Sequence, residues 1–207
     1  MSDPFGKNES VADVVIYDLE TSARSVYNAR ILQIAYISAQ KALDTGEVRI
    51  LETGSHYLKY PKSLLPFISQ GAADVHGIDE AFLKKNGEDY FEILTKLYKV
   101  FNHTTLIGFN SKRFDDVILH QHFDLIGLKD LFYQTSYVDV YEMHCIRSGT
   151  RKGKLGDLLA QGVSPILFKS TRRKLFGAEA VDLEGHDARY DVVATYLLWK
   201  LGGAPCE

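Results

Sequence analysis

The first half of the chain carries the hydrophobic pattern of β-strands. In residues 11–20, which read VADVVIYDLE, apolar side chains fall on both alternate sets of positions. This is typical of a central strand that is covered on both faces. Residues 30–38 and 47–60 are similarly rich in β-branched and aromatic residues, and polar loops separate the three segments. The pattern predicts an opening antiparallel meander.

The rest of the chain changes to a helical spacing of apolar residues. Residues 90–101 place apolar side chains three and four positions apart, as in an amphipathic helix. Further helices are predicted at 79–83, 113–125, 154–161 and 187–201, and short strands at 105–109 and 137–141. Strands first, and then strands alternating with helices, predict an α/β sandwich around a mixed sheet.

The length of 207 residues corresponds to a single domain. Residues 1–10 are polar and are expected to form a flexible tail, and residues 11–202 are expected to form the domain. Within it, residues 162–183 match no predicted element. Loops longer than about 12–15 residues are usually functional or disordered, so this segment is a candidate insertion.

Composition indicates an ordinary globular protein. Hydrophobic residues make up 45% and charged residues 25%, and the two cysteines, Cys145 and Cys206, are too few for a disulfide framework. No apolar run approaches the roughly 20 residues of a membrane helix, so we expect a cytoplasmic protein without a membrane partner. The net charge of −3 argues against broad electrostatic coating of nucleic acid but leaves room for a local basic patch.

The first candidate for chemistry is a pair of acids at the end of the opening strand. Asp18 and Glu20 are two residues apart, and side chains at that spacing point to the same face of a strand. Both carboxylates can therefore reach one site. An acid-x-acid pair arises by chance in many chains, so further motifs have to support it.

Two later segments supply such motifs. GFNSKRFDD places Asn110 at the end of a short strand and Asp115 at the start of the next helix. GHDARYD places His186 and Asp191 five residues apart, so they converge only if His186 precedes the helix and Asp191 lies inside it, with Asp187 as the N-cap. Asp191 then borders the face that packs on the sheet, where a metal ion would offset its burial.

These segments resemble a known family. DLET, NSKRFD and HDARYD are similar to the three motifs of the DEDDh (DnaQ-like) 3′–5′ exonucleases, and the resemblance covers residues 13–199. The second motif is most similar to exonuclease I-type enzymes, whereas DVHGIDEAFL resembles proofreading subunits. The resemblance implies a ribonuclease H-like fold with a five-stranded mixed sheet, and hydrolysis of single-stranded nucleic acid from the 3′ end into nucleoside 5′-monophosphates.

The resemblance also implies residue roles. Asp18, Glu20 and Asp191 would bind one Mg²⁺ or Mn²⁺ ion, Asp18 and Asp115 would bind a second, and His186 would be the general base. Two such cations stabilise the attacking and leaving oxygens of a phosphodiester. Substrate contacts are implied at the following residues: Leu19, Thr21, His76, Ile78, Asn110 and Phe114. Asp116 is the alternative to Asp115, but on a helix it would point about 100° away.

Two weaker signals remain. Arg172, Arg173 and Lys174 lie in the unassigned segment and are either a phosphate-binding patch or a solvated basic loop. His120, His122, His144 and Cys145 suggest zinc, but residues two apart on a helix do not face each other and no Cys-x-x-Cys pair accompanies them.

Several readings of function stay open at this point. An exonuclease acting on single-stranded DNA is favoured, and the same chemistry would serve an RNA-trimming enzyme or a proofreading subunit of a polymerase. A non-catalytic nucleic-acid-binding module of the same fold is less favoured, because all four carboxylates and the histidine are present. The expected partner is single-stranded nucleic acid with a free 3′ end, and a polymerase or a second copy of the chain is a further candidate.

Overall fold

The computed structural model describes residues 11–128 and 135–202. Within them, six strands form one mixed sheet in the order β4-β3-β2-β1-β5-β6. The strands are β1 Val11–Thr21, β2 Ile31–Ala42, β3 Val48–Lys59, β4 Glu88–Asp89, β5 Thr105–Gly108 and β6 Ser136–Asp139. The helices are α1 Gln70–His76, α2 Glu80–Asn86, α3 Tyr90–Phe101, α4 Asp115–Leu125, α5 Val140–Ser148, α6 Leu155–Gly162, α7 Pro165–Phe176 and α8 Ala188–Gly202.

The predicted meander is confirmed, and β1 lies at the centre of the sheet. β1 pairs antiparallel with β2 and parallel with β5, and β2 pairs antiparallel with β3. The described sheet has six strands rather than the five expected. The additional strand is β4, which pairs parallel with the end of β3 at Leu58 and Lys59. With only two residues, β4 is too short to show a periodicity in the sequence.

Two hydrophobic layers enclose the sheet, as an α/β sandwich requires. On β1, Val15, Tyr17 and Leu19 point into the layer beneath α3 and α4. Val14 and Ile16 point into the opposite layer, against α8. Asp18 and Glu20 continue this second set beyond the apolar residues, so strand alternation directs both acids towards α8.

The second half of the chain departs from the predicted elements in two places. The strand expected at 137–141 ends at Asp139, and Val140 already begins α5. Residues 162–183, which matched no predicted element and were a candidate insertion, contain α7 and a short 3-10 turn at 178–182. α7 packs on α8 through the rings of Phe168 and Tyr190, whose centroids are 4.7 Å apart. No described helix is long and apolar enough to cross a membrane.

Candidate metal centre

Three side chains that are far apart in sequence meet where β1 ends. Glu20, His186 and Asp191 each present a metal-ligating atom, and these atoms lie within 4.8 Å of one another. Glu20 is buried, with 8% of its surface exposed, whereas His186 is open to solvent. The group therefore combines a buried carboxylate with a side chain that solvent can reach.

The turn before α8 holds His186 and Asp191 together. His186 adopts a left-handed backbone conformation with φ 71°, and its N–H donates to Oδ2 of Asp191 at 2.9 Å. Asp187 caps the helix, because its Oδ1 accepts from the N–H of Arg189 at 2.9 Å. The sequence prediction that His186 precedes the helix and Asp191 lies inside it is thus confirmed.

The four predicted acidic ligands repel one another. Burial, followed by the charges of Asp191 and Asp115, raises the pKa of Asp18 well above its usual value. Burial and then the charge of Asp191 raise the pKa of Glu20 to about 9. Burial and then Asp116 raise the pKa of Asp115 to about 8, and burial raises that of Asp191 to about 6. Carboxylates gathered in this way are suited to a cation, since its charge would favour their ionised forms.

The observed group of metal-ligating side chains differs from the expected one. It contains His186, which was expected only as the general base, and it does not contain Asp18, which was expected as a ligand. Asp18 shares the electrostatic field of Asp191 and Asp115. Hard divalent cations favour oxygen ligands, and the carboxylates of Glu20 and Asp191 supply such oxygens.

Asp116 has a hydrogen-bond partner in the core. Its Oδ1 accepts a hydrogen bond from the hydroxyl of Tyr17, a core residue on β1. The charge of Asp115 is among the causes that raise the pKa of Asp18. The preference for Asp115 over Asp116 as a ligand stays a prediction.

Two of the expected substrate residues are part of the core. Leu19 is 7% exposed and packs in the layer beneath α3 and α4, and Ile78 is 3% exposed and packs with Leu32 and Leu83. Thr21 is also buried, and its hydroxyl donates to the carbonyl of Ala23 at 3.0 Å. In the folded chain these three side chains are buried rather than exposed to solvent.

His76 has both ring nitrogens engaged by the protein. Its Nδ1 accepts from the N–H of Ile78 at 3.0 Å, which leaves Nε2 to donate to the carbonyl of Thr21 at 3.2 Å. Burial lowers the pKa of His76, so the neutral ring fits this arrangement. His76 therefore fastens the end of α1 to the end of β1 and keeps no ring nitrogen for the substrate.

Asn110 and Phe114 sit on the loop between β5 and α4. Asn110 is exposed and left-handed, with φ 55°, and its backbone N–H donates to Oδ1 of Asp139 at 2.8 Å. The same oxygen of Asp139 caps α5 through the N–H of Tyr141 at 2.9 Å. Phe114 packs partly against the core beneath α3. Sequence reasoning missed Asp139; the strand-ending acid in SYVDVYE, three positions before Glu142, was its signal.

A cleft of about 760 Å³ opens beside the acids. Asp18, His186 and Asp191 form one wall, and Asn110 and Tyr141 lie on the side of α5. The residues from Gly153 to Asp157, which lead into α6, complete the lining. Asp18, His186 and Asp191 can therefore be reached from this cleft.

The expected phosphate patch is corrected at Arg172. This residue is buried, with its guanidinium 4.6 Å from the ring centre of Phe168 and 4.8 Å from that of Tyr190, and it donates to the carbonyl of Leu183. Arg172 therefore holds α7 against α8. Arg173 and Lys174 are exposed and remain available to an anion.

The histidines on α4 have other partners than a metal. Nε2 of His122 accepts from the N–H of Ile31 at 3.4 Å, and its Nδ1 lies 3.0 Å from the hydroxyl of Tyr90. Burial lowers the pKa of His122 to about 3, which keeps the ring neutral. His120 lies 2.9 Å from the hydroxyl of Tyr137. Within the described residues, these contacts support the sequence argument against zinc.

Solved structures of exonuclease I share this fold. Exonuclease I from Methylocaldum szegediense superimposes with a TM-score of 0.65 at 21% identity, over 92% of this chain and 40% of that one. E. coli exonuclease I in complex with a dT13 oligonucleotide gives 0.65 at 20% identity, over 94% and 41%. The complex with a dA16 oligonucleotide gives 0.63 at 20% identity, over 92% and 40%. The chain has the ribonuclease H-like architecture of these proteins.

The likeness is one of structure rather than of sequence. No family model and no curated protein matches the chain. The chain spans about two fifths of the length of the exonuclease I structures. E. coli exonuclease I has also been solved with single-stranded DNA and a zinc ion, and in complex with SSB-Ct.

Proposed function

We propose that the chain is a metal-dependent exonuclease that hydrolyses single-stranded DNA from its 3′ end and releases nucleoside 5′-monophosphates. The observation that carries the proposal is the convergence of Glu20, His186 and Asp191 within 4.8 Å at the end of β1. Asp18 and Asp115 add their charges to the same field. A structural role alone would not explain why acids from β1, α4 and α8 gather beside an open cleft.

In this proposal Asp18, Glu20, Asp115 and Asp191 hold two divalent cations, Mg²⁺ or Mn²⁺. Such cations, when bound, supply Lewis-acid stabilisation of an attacked phosphate and of its leaving oxygen. His186 accepts the proton of the attacking water, a role that its exposure on the cleft permits. The bond from phosphorus to the 3′ oxygen breaks, and the shortened strand keeps a 3′-hydroxyl.

DNA is the favoured substrate for two reasons. The second sequence motif is most similar to exonuclease I-type enzymes, and two solved structures of the same fold are complexes of E. coli exonuclease I with deoxyoligonucleotides. Asn110, which lies on the cleft with Asp18 and Asp191, is the exposed member of the proposed substrate-binding residues beside the acids. We assign to its side chain a contact with the substrate near the scissile phosphate.

The test uses 5′-labelled single-stranded DNA, single-stranded RNA and duplex DNA, each incubated with Mg²⁺ or with EDTA. We expect a ladder that shortens from the 3′ end on single-stranded DNA, present with Mg²⁺ and absent with EDTA. Faster shortening of RNA would reassign the substrate. Cleavage that persists in EDTA, or that releases the labelled 5′ end first, would overturn the proposal.

A further inference from the structure

Gln33 is a buried polar residue directly beside the acidic cluster. It lies on β2 with 1% of its surface exposed, and its Cα partner across the sheet is Glu20 of β1. A buried amide is costly unless its donor and acceptor groups are satisfied. The partners of Gln33 therefore indicate what the residue does.

The side chain of Gln33 bridges β2 and the start of α8. Its Oε1 accepts from the N–H of Ala188 at 3.2 Å, and its Nε2 donates to Oδ1 of Asp187 at 3.2 Å. The same nitrogen also lies 3.3 Å from Oγ of Ser55 on β3. Ala188 is the first residue of α8, so its N–H has no partner inside the helix.

The residues that Gln33 holds, Asp187 and Ala188, lie in the sequence between two residues of the candidate metal centre, His186 and Asp191. Asp187 is also held from its other side by Arg189, whose Nη2 is 2.8 Å from Oδ2. The carbonyl of Asp187 accepts from the N–H of Asp191 at 3.1 Å. His186, directly before Asp187, keeps the left-handed φ of 71° that brings its N–H onto Asp191.

We propose that Gln33 is a positioning residue that fixes His186 and Asp191 relative to Glu20. The amide of Gln33 ties the turn before α8 to β2, and β2 pairs with β1, the strand that carries Glu20. The expected effect of Gln33 on catalysis rests on the proposed function, whereas its effect on the turn before α8 does not. Loss of such a supporting contact typically lowers activity about 10- to 100-fold, because a small displacement of the reacting groups slows the chemical step.

The first experiment compares Gln33→Met, which keeps the shape and removes all three contacts, with Ser55→Ala, which removes one contact and leaves Asp187 and Ala188 bonded. Hydrogen exchange followed by mass spectrometry is read in peptides covering residues 184–191 and, as a reference, in peptides from α3. We expect faster exchange in 184–191 for Gln33→Met alone. This readout needs no enzymatic activity.

Steady-state kinetics on single-stranded DNA give the second readout. For Gln33→Met we expect kcat to fall about 10- to 100-fold with little change in KM, as for a group that acts on the catalytic geometry rather than on binding. Faster exchange without a loss of kcat would overturn the catalytic part of the proposal. Unchanged exchange in 184–191 would overturn the whole of it. If the parent chain shows no exonuclease activity, the proposed function fails and the exchange result still decides whether Gln33 holds the turn.

A second variant tests the contact with Asp187 directly. Gln33→Glu keeps an acceptor for Ala188 but places a carboxylate against Asp187, so we expect the same defects at pH 8. A Gln33→Glu variant with the exchange in 184–191 and the kcat of the parent chain would show that the Gln33–Asp187 contact does not position the turn.

Discussion

The hydroxyl of Tyr17 donates to Oδ1 of Asp116, while the neighbouring residue Asp115 lies in the field of Asp18 on the other face of β1. Two consecutive acids at the start of α4 thus have different relationships to the central strand. One completes a hydrogen bond of the core, and we propose that the other binds a cation.

Mutations of Asp115 and Asp116 should have different effects on catalysis. Asp115→Asn should lower kcat on single-stranded DNA by at least about a hundredfold, because a ligand for a cation at the reacting phosphate is lost. Asp116→Asn keeps an oxygen that accepts from Tyr17 and should leave kcat close to that of the parent chain. Steady-state kinetics with Mg²⁺ measure both. An equal loss in both variants would contradict the assignment of Asp115.

His186 can be tested against a closely matched histidine. His186→Ala should reduce kcat by roughly 10²–10⁴-fold, the usual contribution of a general base. His103→Ala is the control, since both histidines are exposed and both have a positive φ, 71° for His186 and 60° for His103. The backbone cost of the two changes is therefore similar. A comparable decrease of kcat in the control would assign the effect to folding.

The raised pKa values predict how the stability of the metal-free chain depends on pH. A carboxyl whose pKa is higher in the folded protein than in the unfolded chain binds more protons when folded, so the free energy of unfolding falls as pH rises between the two values. Glu20 has a pKa of about 9 and Asp115 of about 8 in the fold, against roughly 4 for unfolded carboxyls. In EDTA, the Tm should fall by several degrees between pH 5 and pH 8.5, since about 1 kcal/mol corresponds to roughly 2–4 °C at this size.

Mg²⁺ should reverse this loss of Tm at a pH at which the acids are ionised. Added Mg²⁺ should raise the Tm more at pH 8.5 than at pH 5, because ligands must be deprotonated to bind the ion. Glu20→Gln should flatten the pH dependence in EDTA, while Asp13→Asn, an exposed acid on the same strand, should not. A metal-free Tm that rises with pH over this interval would contradict the prediction.

The three basic residues of α7 should not behave alike. Arg172→Met should lower the free energy of unfolding by about 2 kcal/mol, because the aromatic contacts and the hydrogen bond to Leu183 are lost. Arg173→Gln with Lys174→Gln should leave stability unchanged, weaken the binding of single-stranded DNA and flatten its salt dependence. Thermal unfolding and binding at several salt concentrations distinguish the two effects. An unchanged salt slope would remove Arg173 and Lys174 from the DNA interface.

The sequence predicted the sheet and its acids because both depend on local periodicity. Asp18 and Glu20 follow from a spacing of two on a strand, and the order of His186 and Asp191 follows from the geometry of a helix start. α7 was not predicted although Ser164 caps it and Pro165 opens it, because the polar residues 169–174 interrupt the apolar periodicity of the segment.

Contacts between residues that are far apart in the sequence could not be predicted, because no local pattern indicates them. Gln33 lies 155 residues before Ala188, and a buried amide in a strand gives no sign of its partner. Likewise, the burial of Arg172 depends on rings of two different helices, Phe168 of α7 and Tyr190 of α8. Long-range hydrogen bonds and cation–π contacts arise only when the layers are assembled.

β1 assigns its odd-numbered side chains to one layer and its even-numbered ones to the other. A single-residue deletion within the first half of the strand would exchange these roles if the sheet kept its register, so that Leu19 would face α8 and the carboxylates would enter the apolar layer beneath α3. We therefore expect β1 to tolerate the insertion or deletion of two residues but not of one. The number of residues in β1 before Asp18 thus decides which layer receives the carboxylates.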